Sequence, residues 1–308
     1  MELIVQTNSK SNIKKLQSLG VKKIIVGSDF FSCRQAISLN YNELEEENNK
    51  NIELYVLVNA LVEEKYIKEL EKHLYQLDKI GIQGVLFQDF AVLQICKEQK
   101  YSFDCIYAPD TLNTNHQTLN YLQTRRVSGA FLAREIPLAE KQYIQEQLSM
   151  PCIMQVHGVE YMAYSKRKLL QSYLEITGKT FPTREGNITI QANNVEDACY
   201  LYEDQYGTHI LSKTQLIALD ILKEIVSMPL GYIESLYLNE EELLDVVSLY
   251  LEGIRCVNEG IYEQKKEQLV QKLYEIQPNV KFYHSFLFDQ TVYKIADVRK
   301  REEDERSK

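Results

Sequence analysis

Short runs of apolar residues alternate along the chain with longer segments in which apolar residues recur at helical spacing. The first three runs are MELIVQ, VKKIIVGSDF and IELYVLVNALV, followed by GVLFQDF, FDCIYAPDTLNTN, VSGAFLAREIPLAE and MPCIMQVHG, with PLGYIESLYLN last. Nearly continuous apolar runs are typical of parallel strands buried on both faces. Their alternation with helices predicts an α/β protein, and their number favours a closed (β/α)8 barrel, with an open sheet as the alternative.

The helical segments carry start and stop signals. SNIKKLQSLG is predicted to begin at Ser11 or Asn12 and to end at Gly20. NEEELLDVVSLYLEG is predicted to begin at the N-cap Asn239 and to end at Gly253. THILSKTQLIALDILKEIVSM is also predicted to be helical, whereas the acidic ELEEENNKN is predicted to be a solvated loop.

The regular alternation breaks between about residues 164 and 206, which predicts an insertion after the seventh strand, with NITIQA as a hairpin strand. Insertions on this face of a barrel commonly carry function. The expected division is a barrel domain over residues 1–260, a C-terminal helix and packing segment over 261–297, and a charged, disordered tail over 298–308.

Composition narrows the classes of protein. A net charge of −9 argues against a stand-alone nucleic-acid binder, although a local basic patch remains compatible with it. The chain has neither a 20-residue apolar run nor a basic leader, so we expect a cytoplasmic protein. Its six cysteines form no CxxC pair, which predicts neither a disulfide framework nor a metal site.

Polar residues at the predicted strand ends are the candidates for chemistry. His157 ends the strand MPCIMQVHG, and its side chain serves either as an acid/base group or as a structural hydrogen-bond partner. Arg134 and Glu135 form either a clamp for a ligand carboxylate or an internal ion pair. Glu135 and Glu234 are the further catalytic candidates, in the sixth and last predicted strands.

Two other sets of residues can be interpreted either as ligand-binding or as structural. Asn59, Gln88 and Asn113 follow strands, where amides line a polar ligand pocket or cap helices. Lys166, Arg167 and Lys168 adjoin Tyr164. This basic run either contacts RNA phosphates and stacks on bases or is a solvated helix face.

The segment VHGVEYMAYSKRKLL resembles the signature of peptidase family U32, the collagenase-like protease family, which reads approximately H-G-A-L-C-x-x-Y-S-G-R-C-L-L. The matching residues are His157, Gly158, Tyr164, Ser165, Arg167, Leu169 and Leu170. AREI, NTNH, YGTHILSKTQL and YIESLYLNEEELLDVVSLY support the resemblance in the expected order.

The sequence departs from the family pattern at the cysteines. In family members that hydroxylate RNA bases or quinone precursors, cysteines around the signature hold an iron–sulfur cluster, and prephenate is the oxygen source implicated for several. Here Tyr161 and Lys168 replace both signature cysteines, and REGNITIQA contains none. We therefore expect no cluster on this chain, since cluster ligation needs thiolates or imidazoles. The family's late E-G-R motif reads Glu234-Ser235-Leu236, without its arginine.

The resemblance implies a function shared between two chains. Short family members of Gram-positive bacteria resemble one half of a pair whose other half is a longer, cysteine-bearing paralogue, and the pair is associated with 5-hydroxylation of the wobble uridine in tRNA. We expect this chain to be the non-cluster subunit of such a prephenate-dependent heteromer, with cluster and prephenate on or with the partner. A collagenase-like peptidase, a hydrolase, and an inactive binding scaffold are the alternatives; no HExxH or GxSxG motif supports the peptidase.

Overall fold

The computed structural model describes residues 1–48, 52–180, 188–191 and 197–289. The predicted tail, residues 298–308, and parts of the predicted NITIQA strand lie outside them. The strands, numbered along the chain, are β1 Glu2–Gln6, β2 Lys23–Ser28, β3 Ser38–Leu39, β4 Glu53–Val58, β5 Gly84–Phe87, β6 Asp104–Tyr107, β7 Val127–Phe131, β8 Cys152–Ser165, β9 Thr189–Ile190, β10 Cys199–Asp204, β11 Gly207–Ile217, β12 Leu230–Ile233 and β13 Phe282–Tyr283. The helices are α1 Lys10–Ser18, α2 Tyr41–Asn48, α3 Ile67–Ile80, α4 Phe90–Gln99, α5 His116–Gln123, α6 Leu138–Glu146, α7 Leu169–Thr177, α8 Leu222–Ile225, α9 Glu240–Asn258 and α10 Tyr262–Ile276.

Eight parallel strands close into a barrel, in the order β12, β1, β2, β4, β5, β6, β7 and β8. The barrel closes because β12 pairs with β1 on one side and with β8 on the other. The predicted (β/α)8 barrel, with an insertion after its seventh strand, is therefore confirmed. In the described part of the chain, no helix has the length and apolar character needed to cross a membrane.

Apolar side chains pack in two layers. A small cluster that includes Ile4, Ile25 and Leu57 fills the barrel, and a larger one lies between the strands and the surrounding helices. Successive strand residues point to opposite faces, so a strand buried on both sides supplies both layers. This double burial explains the continuous apolar runs in the sequence.

Several predicted element boundaries were wrong. Helix α1 starts one turn early, because Ser9 and not Ser11 or Asn12 is the N-cap, its side chain accepting from the backbone N–H of Asn12. The acidic segment predicted as a loop forms α2, which buries Leu44. The capping box of Asn239 at the start of α9 is confirmed.

Helix α9 also runs past Gly253, where the sequence predicted its end. A Cβ at Gly253 would lie 2.4 Å from Cδ1 of Leu222. The glycine therefore allows the neighbouring chain to pack closely against the helix and does not end it.

The segment that follows the predicted insertion departs most from its prediction. Strand β8 continues beyond the barrel to Ser165 and pairs antiparallel with β11, which pairs with β10. Residues 208–217, predicted to be helical, are therefore extended, and helix is confined to a 3-10 turn at Leu219–Ile221 and to α8. The short β13 pairs with β11, which draws the C-terminal segment over the mouth of the barrel.

Candidate functional site

A cavity of about 130 Å³ lies at the carboxyl ends of the barrel strands. This end of a β/α barrel holds the active site in characterised enzymes of the fold. The polar residues that line the cavity are Gln6, Arg34, Asn59, Asp110, Arg134, Lys141, Gln155, Glu160, Tyr161, Tyr232, Glu234 and Ser285. The cavity therefore combines three cationic and three carboxylic side chains.

One wall of the cavity is built around Arg34, which follows β2 and is buried. Its Nη2 donates to Oδ1 of Asp110 at 2.8 Å, and its guanidinium lies over the ring of Tyr161. Burial raises the pKa of the Asp110 carboxyl, and the charge of Arg34 opposes that rise.

Next to this wall, three side chains form a row of oxygen atoms. The hydroxyl of Tyr232 lies 2.9 Å from Oε1 of Gln6 and 2.8 Å from Oε2 of Glu234. The backbone N–H of Leu236 donates to Oε1 of Glu234 at 3.0 Å. Glu234 is partly buried, and this burial raises the pKa of its carboxyl group.

The opposite wall contains Arg134, Lys141 and Glu160. Nε of Arg134 is buried and has no hydrogen-bond partner among the described residues. Nζ of Lys141 donates to the carbonyl of Ala133, and burial lowers the pKa of the Lys141 ammonium to about 8. Glu160 accepts a hydrogen bond on each oxygen, one from the hydroxyl of Tyr283 and one from that of Ser285.

The structure brings three of the predicted site residues to the cavity: Asn59, Arg134 and Glu234. Asn59 also bonds the backbone of Cys33 through both amide atoms. Glu135 lies beside the cavity, with Oε1 3.7 Å from Nε of Arg134 and its side chain 37% exposed.

Two predicted amides bond to neighbouring backbone. Nε2 of Gln88 donates to the carbonyl of Asn59. Nδ2 of Asn113 donates to the carbonyl of Phe131 at 2.7 Å. Both side chains thus fix the loops that follow the strands, as capping groups do.

His157 lies outside the cavity. It is 0% exposed, its Nε2 is 3.1 Å from Oε1 of Gln277, and its ring packs edge-on against Tyr250 of α9. The register between β12 and β8 shifts immediately before His157, which turns the side chain towards the helices. The strand does not end at His157, contrary to the sequence prediction, and burial lowers the pKa of its imidazole to about 4.

The basic run lies where β8 leaves the barrel and α7 begins. Arg167 and Lys168 are exposed, and Nζ of Lys166 lies 3.4 Å from a carboxylate oxygen of Glu63. Tyr164 is only half-exposed, because its ring stacks on His209 and its hydroxyl donates to the carbonyl of Tyr206.

The cysteines do not provide a cluster site among the described residues. Five are buried and Cys199 is partly exposed, and no three His, Cys, Asp or Glu side chains in the described chain are placed to hold one metal ion. Burial raises the pKa of Cys33 to about 11 and that of Cys152 to about 12, which opposes thiolate formation. At the signature, Tyr161 occupies the wall of the cavity and Lys168 is exposed. This donor set does not fit an iron–sulfur cluster.

The sequence prediction missed Arg34, Lys141 and Glu160. Glu160 stands two residues beyond Gly158, and the expectation that β8 ends at Gly158 hid its inward position. Lys141 lies in the first turn of α6, where a lysine is ordinarily solvated. No local sequence pattern indicates that Arg34 faces the cavity, because its inward orientation depends on the folded loop after β2.

The closed barrel, the strand-lined cavity and the signature segment in β8 together define a family, and the chain belongs to peptidase family U32, whose model matches residues 8–296. It is 29% identical over 305 residues to tRNA hydroxylation protein P2 of Bacillus subtilis (strain 168), covering 95% of this chain and 99% of that protein. It is 18% identical to tRNA hydroxylation protein P1 of the same strain, covering 87% of this chain and 67% of P1. Among solved structures, a putative dihydrodipicolinate synthetase from Pseudomonas aeruginosa has a TM-score of 0.50 at 9% identity, over 90% of this chain and 82% of that one, a likeness of fold alone.

Proposed function

We propose that this chain takes part in tRNA hydroxylation, as a non-cluster subunit supporting prephenate-dependent 5-hydroxylation of the wobble uridine. The observation that carries the proposal is the similarity to tRNA hydroxylation protein P2, which extends over nearly the full length of both chains. The signature cysteines replaced by Tyr161 and Lys168 support a role without a cluster.

The proposed partner is a longer, cysteine-bearing U32 paralogue that forms a heteromer with this chain. Its support is that the chain matches both P1 and P2 of one organism, and that P1 extends well beyond the match. The iron–sulfur cluster then belongs to the partner, where it would supply the redox chemistry.

The cavity offers cationic groups to a carboxylate-bearing molecule such as prephenate. Two groups on one wall have donors to spare: Nε of Arg134, which makes no hydrogen bond in the described chain, and the ammonium of Lys141. A guanidinium binds a carboxylate through paired N–H donors, which would orient the ligand against the wall. His157 is too enclosed to reach it, and Glu135 and Glu234 remain the acidic candidates near the ligand.

The tRNA is proposed to bind over the same end of the barrel, on the basic run of Lys166, Arg167 and Lys168. Its support is position, since Lys166 pairs with Glu63 of the loop that follows β4 at the carboxyl ends of the strands. The exposed ring of Tyr173 on α7 is better placed for stacking than that of Tyr164.

Deletion of the gene followed by mass spectrometry of tRNA nucleosides tests the role. We expect 5-hydroxyuridine derivatives to disappear and to return with the wild-type gene but not with Arg134→Gln. Lys14→Gln, which removes an exposed charge from α1, is the matched control and should restore them. Unchanged 5-hydroxyuridine derivatives in the deletion strain would exclude the role.

Two measurements on purified protein test the division of labour. We expect iron and acid-labile sulfide to be absent from this chain and stoichiometric in its complex with the paralogue. A full cluster on the isolated chain would contradict the proposal, as would failure of the two proteins to copurify from their native host.

The peptidase alternative receives little support from the geometry. In the described chain, Oγ of Ser28 approaches Nε2 of His73 at 3.4 Å, but this serine donates to the carbonyl of Phe30. Tyr41, and not a carboxylate, contacts the other imidazole nitrogen. Oγ of Ser165 accepts from the backbone N–H of Arg167. Neither arrangement activates a nucleophile.

A further inference from the structure

The row formed by Gln6, Tyr232 and Glu234 contains more hydrogen-bond acceptors than protons. Nε2 of Gln6 donates to the carbonyl of Arg34, which leaves Oε1 of Gln6 as an acceptor facing the Tyr232 hydroxyl. That hydroxyl has one proton, yet it lies within hydrogen-bond distance of Gln6 on one side and of Glu234 on the other. If Glu234 is ionised and accepts the proton of Tyr232, the buried Oε1 of Gln6 has no donor in the row, which is costly.

A proton on Oε2 of Glu234 completes the row. Glu234 then donates to the oxygen of Tyr232, and Tyr232 donates to Gln6. Oε1 of Glu234 still accepts from the backbone N–H of Leu236, as the carbonyl oxygen of a neutral acid does. Each of these groups has a partner in this arrangement.

Glu160 provides a contrast in the same cavity. Each of its oxygens accepts from a hydroxyl donor, Tyr283 or Ser285, and Arg134 and Lys141 lie on the same wall. Donors to both oxygens and nearby cations favour a carboxylate. Glu234 also has a donor near each oxygen, but its hydroxyl donor, Tyr232, is shared with Gln6. The two glutamates therefore differ in hydrogen bonding, although burial raises the pKa of each.

The surroundings of Glu234 agree with a neutral acid. The charge that faces it is Arg34, in the loop after β2, and that charge is already paired with Asp110. Strand β8 places backbone beside it, since the carbonyl of His157 accepts from the backbone N–H of Glu234 and Gly158 packs against it. Tyr232 lies in β12, two residues before Glu234; its pKa is strongly raised, so its hydroxyl stays protonated.

We infer that Glu234 is held as an uncharged carboxylic acid at neutral pH, and that this proton keeps a negative charge that would repel an anionic ligand out of the barrel cavity. Arg34 is paired with Asp110, and Arg134 lies beside Glu135. The charges of Lys141 and Glu160 then balance, so ionisation of Glu234 would make the cavity net negative. The selection of an anion rests on the proposed function, whereas the protonation of Glu234 is a property of the free protein.

Infrared spectroscopy of the ligand-free protein tests the protonation directly. Labelling with ¹³C-glutamate separates the carbonyl stretch of a protonated glutamic acid from that of Asp110. At pH 7 we expect this band in the wild type and in Glu160→Gln but not in Glu234→Gln. A band that persists in Glu234→Gln, or that is lost only in Glu160→Gln, would overturn the inference. Glutamine can donate to Tyr232 and accept from Leu236, so the variant should fold.

Binding of prephenate across pH 6.5–9 tests the consequence. Wild-type affinity should fall by at least tenfold as Glu234 ionises, beyond the loss caused by Lys141. Glu234→Gln has no proton to lose at this position, so its affinity should change with pH only through the ionisation of Lys141. Equal pH profiles for the two proteins would refute the selectivity role. A wild type that binds no prephenate at any pH removes that ligand from the proposed function, while the infrared result still decides the state of Glu234.

Discussion

The guanidinium carbon of Arg34 lies 4.7 Å from the centre of the Tyr161 ring. Tyr161 stands at a position where the family signature has a cysteine. The same guanidinium bonds Asp110 at 2.8 Å. A cation over an aromatic face is attracted by the ring and shielded from water. The residue at this signature position therefore packs against the ion pair that forms one wall of the cavity.

Removal of the Arg34 charge should destabilise the protein, because the Asp110 carboxylate then has no partner. Arg34→Met leaves Asp110 enclosed without its partner, and we expect a loss of about 3 kcal/mol in the free energy of unfolding. Asp110→Asn in the same background should recover most of that loss, because a neutral amide replaces the stranded charge. Urea unfolding of the two single variants and the double variant measures this cycle; additive losses would contradict it.

Stability should fall in mild acid because of His157. Its pKa is about 4 in the folded protein against 6.5 in the unfolded chain, so the unfolded state binds more protons between these values. The contribution is fully present above pH 6.5 and is lost as the pH falls, by about 2 kcal/mol at pH 5.

Urea unfolding at pH 7.5 and pH 5 measures this loss. His157→Gln should lose less stability than wild type over the same interval. Burial also lowers the pKa of His73 to about 4. His73→Gln should therefore reduce the loss of stability between the two pH values in the same way, and it serves as the comparison. A wild-type slope in His157→Gln would mean that the imidazole is solvated in the folded protein.

Gly158 should be intolerant of a side chain. Its φ of +103° is unfavourable for other residues, and a Cβ would lie 2.6 Å from the carbonyl oxygen of Glu234. We expect Gly158→Ala to lower the free energy of unfolding by about 3 kcal/mol. Gly178→Ala, with a φ of +65° and no atom within 4 Å of the added carbon, isolates the backbone strain and should cost about 1 kcal/mol. Equal losses in thermal or urea unfolding would show that the crowding is relieved.

The basic run should contribute to tRNA affinity through phosphate contacts. Charge removal in Arg167→Gln/Lys168→Gln should weaken binding of tRNA by the heteromer about tenfold at low salt and flatten the dependence of affinity on salt. Lys14→Gln/Lys15→Gln removes the same charge from α1 and is the control. Filter binding at several salt concentrations measures the affinity and its salt dependence. Equal effects of the two double variants would show that the basic run is a solvated surface that does not contact tRNA.

The barrel was predictable because its strands are buried on both faces. Continuous apolar runs such as ELYVLV in β4 leave few alternatives. Strand β11 was not predictable in this way. Its apolar residues also fit helical spacing, and it is extended because β8 leaves the barrel to pair with it. Helix α2 was not predicted because its sequence is mostly acidic and Leu44 is the one apolar side chain that it buries.

The site was predicted in part for a similar reason. Asn59, Arg134 and Glu234 lie at or near strand ends, and parallel strands carry such residues to one end of the barrel. His157 is also in a strand, but the register shift beside it turns its side chain outward, and no local pattern announces such a shift. Lys141 and Arg34 come from segments whose inward orientation depends on tertiary packing.

The row of Gln6, Tyr232 and Glu234 joins the first strand of the barrel to the last, and Ser285 and Leu287 cover the cavity from the C-terminal segment. During synthesis the N-terminal strand leaves the ribosome first, long before either partner exists. Gln6, on that strand, can form its hydrogen bond with Tyr232 only after most of the chain has been synthesised. The cavity is thus among the last features of the molecule to form, and a nascent chain released before Leu287 would lack it.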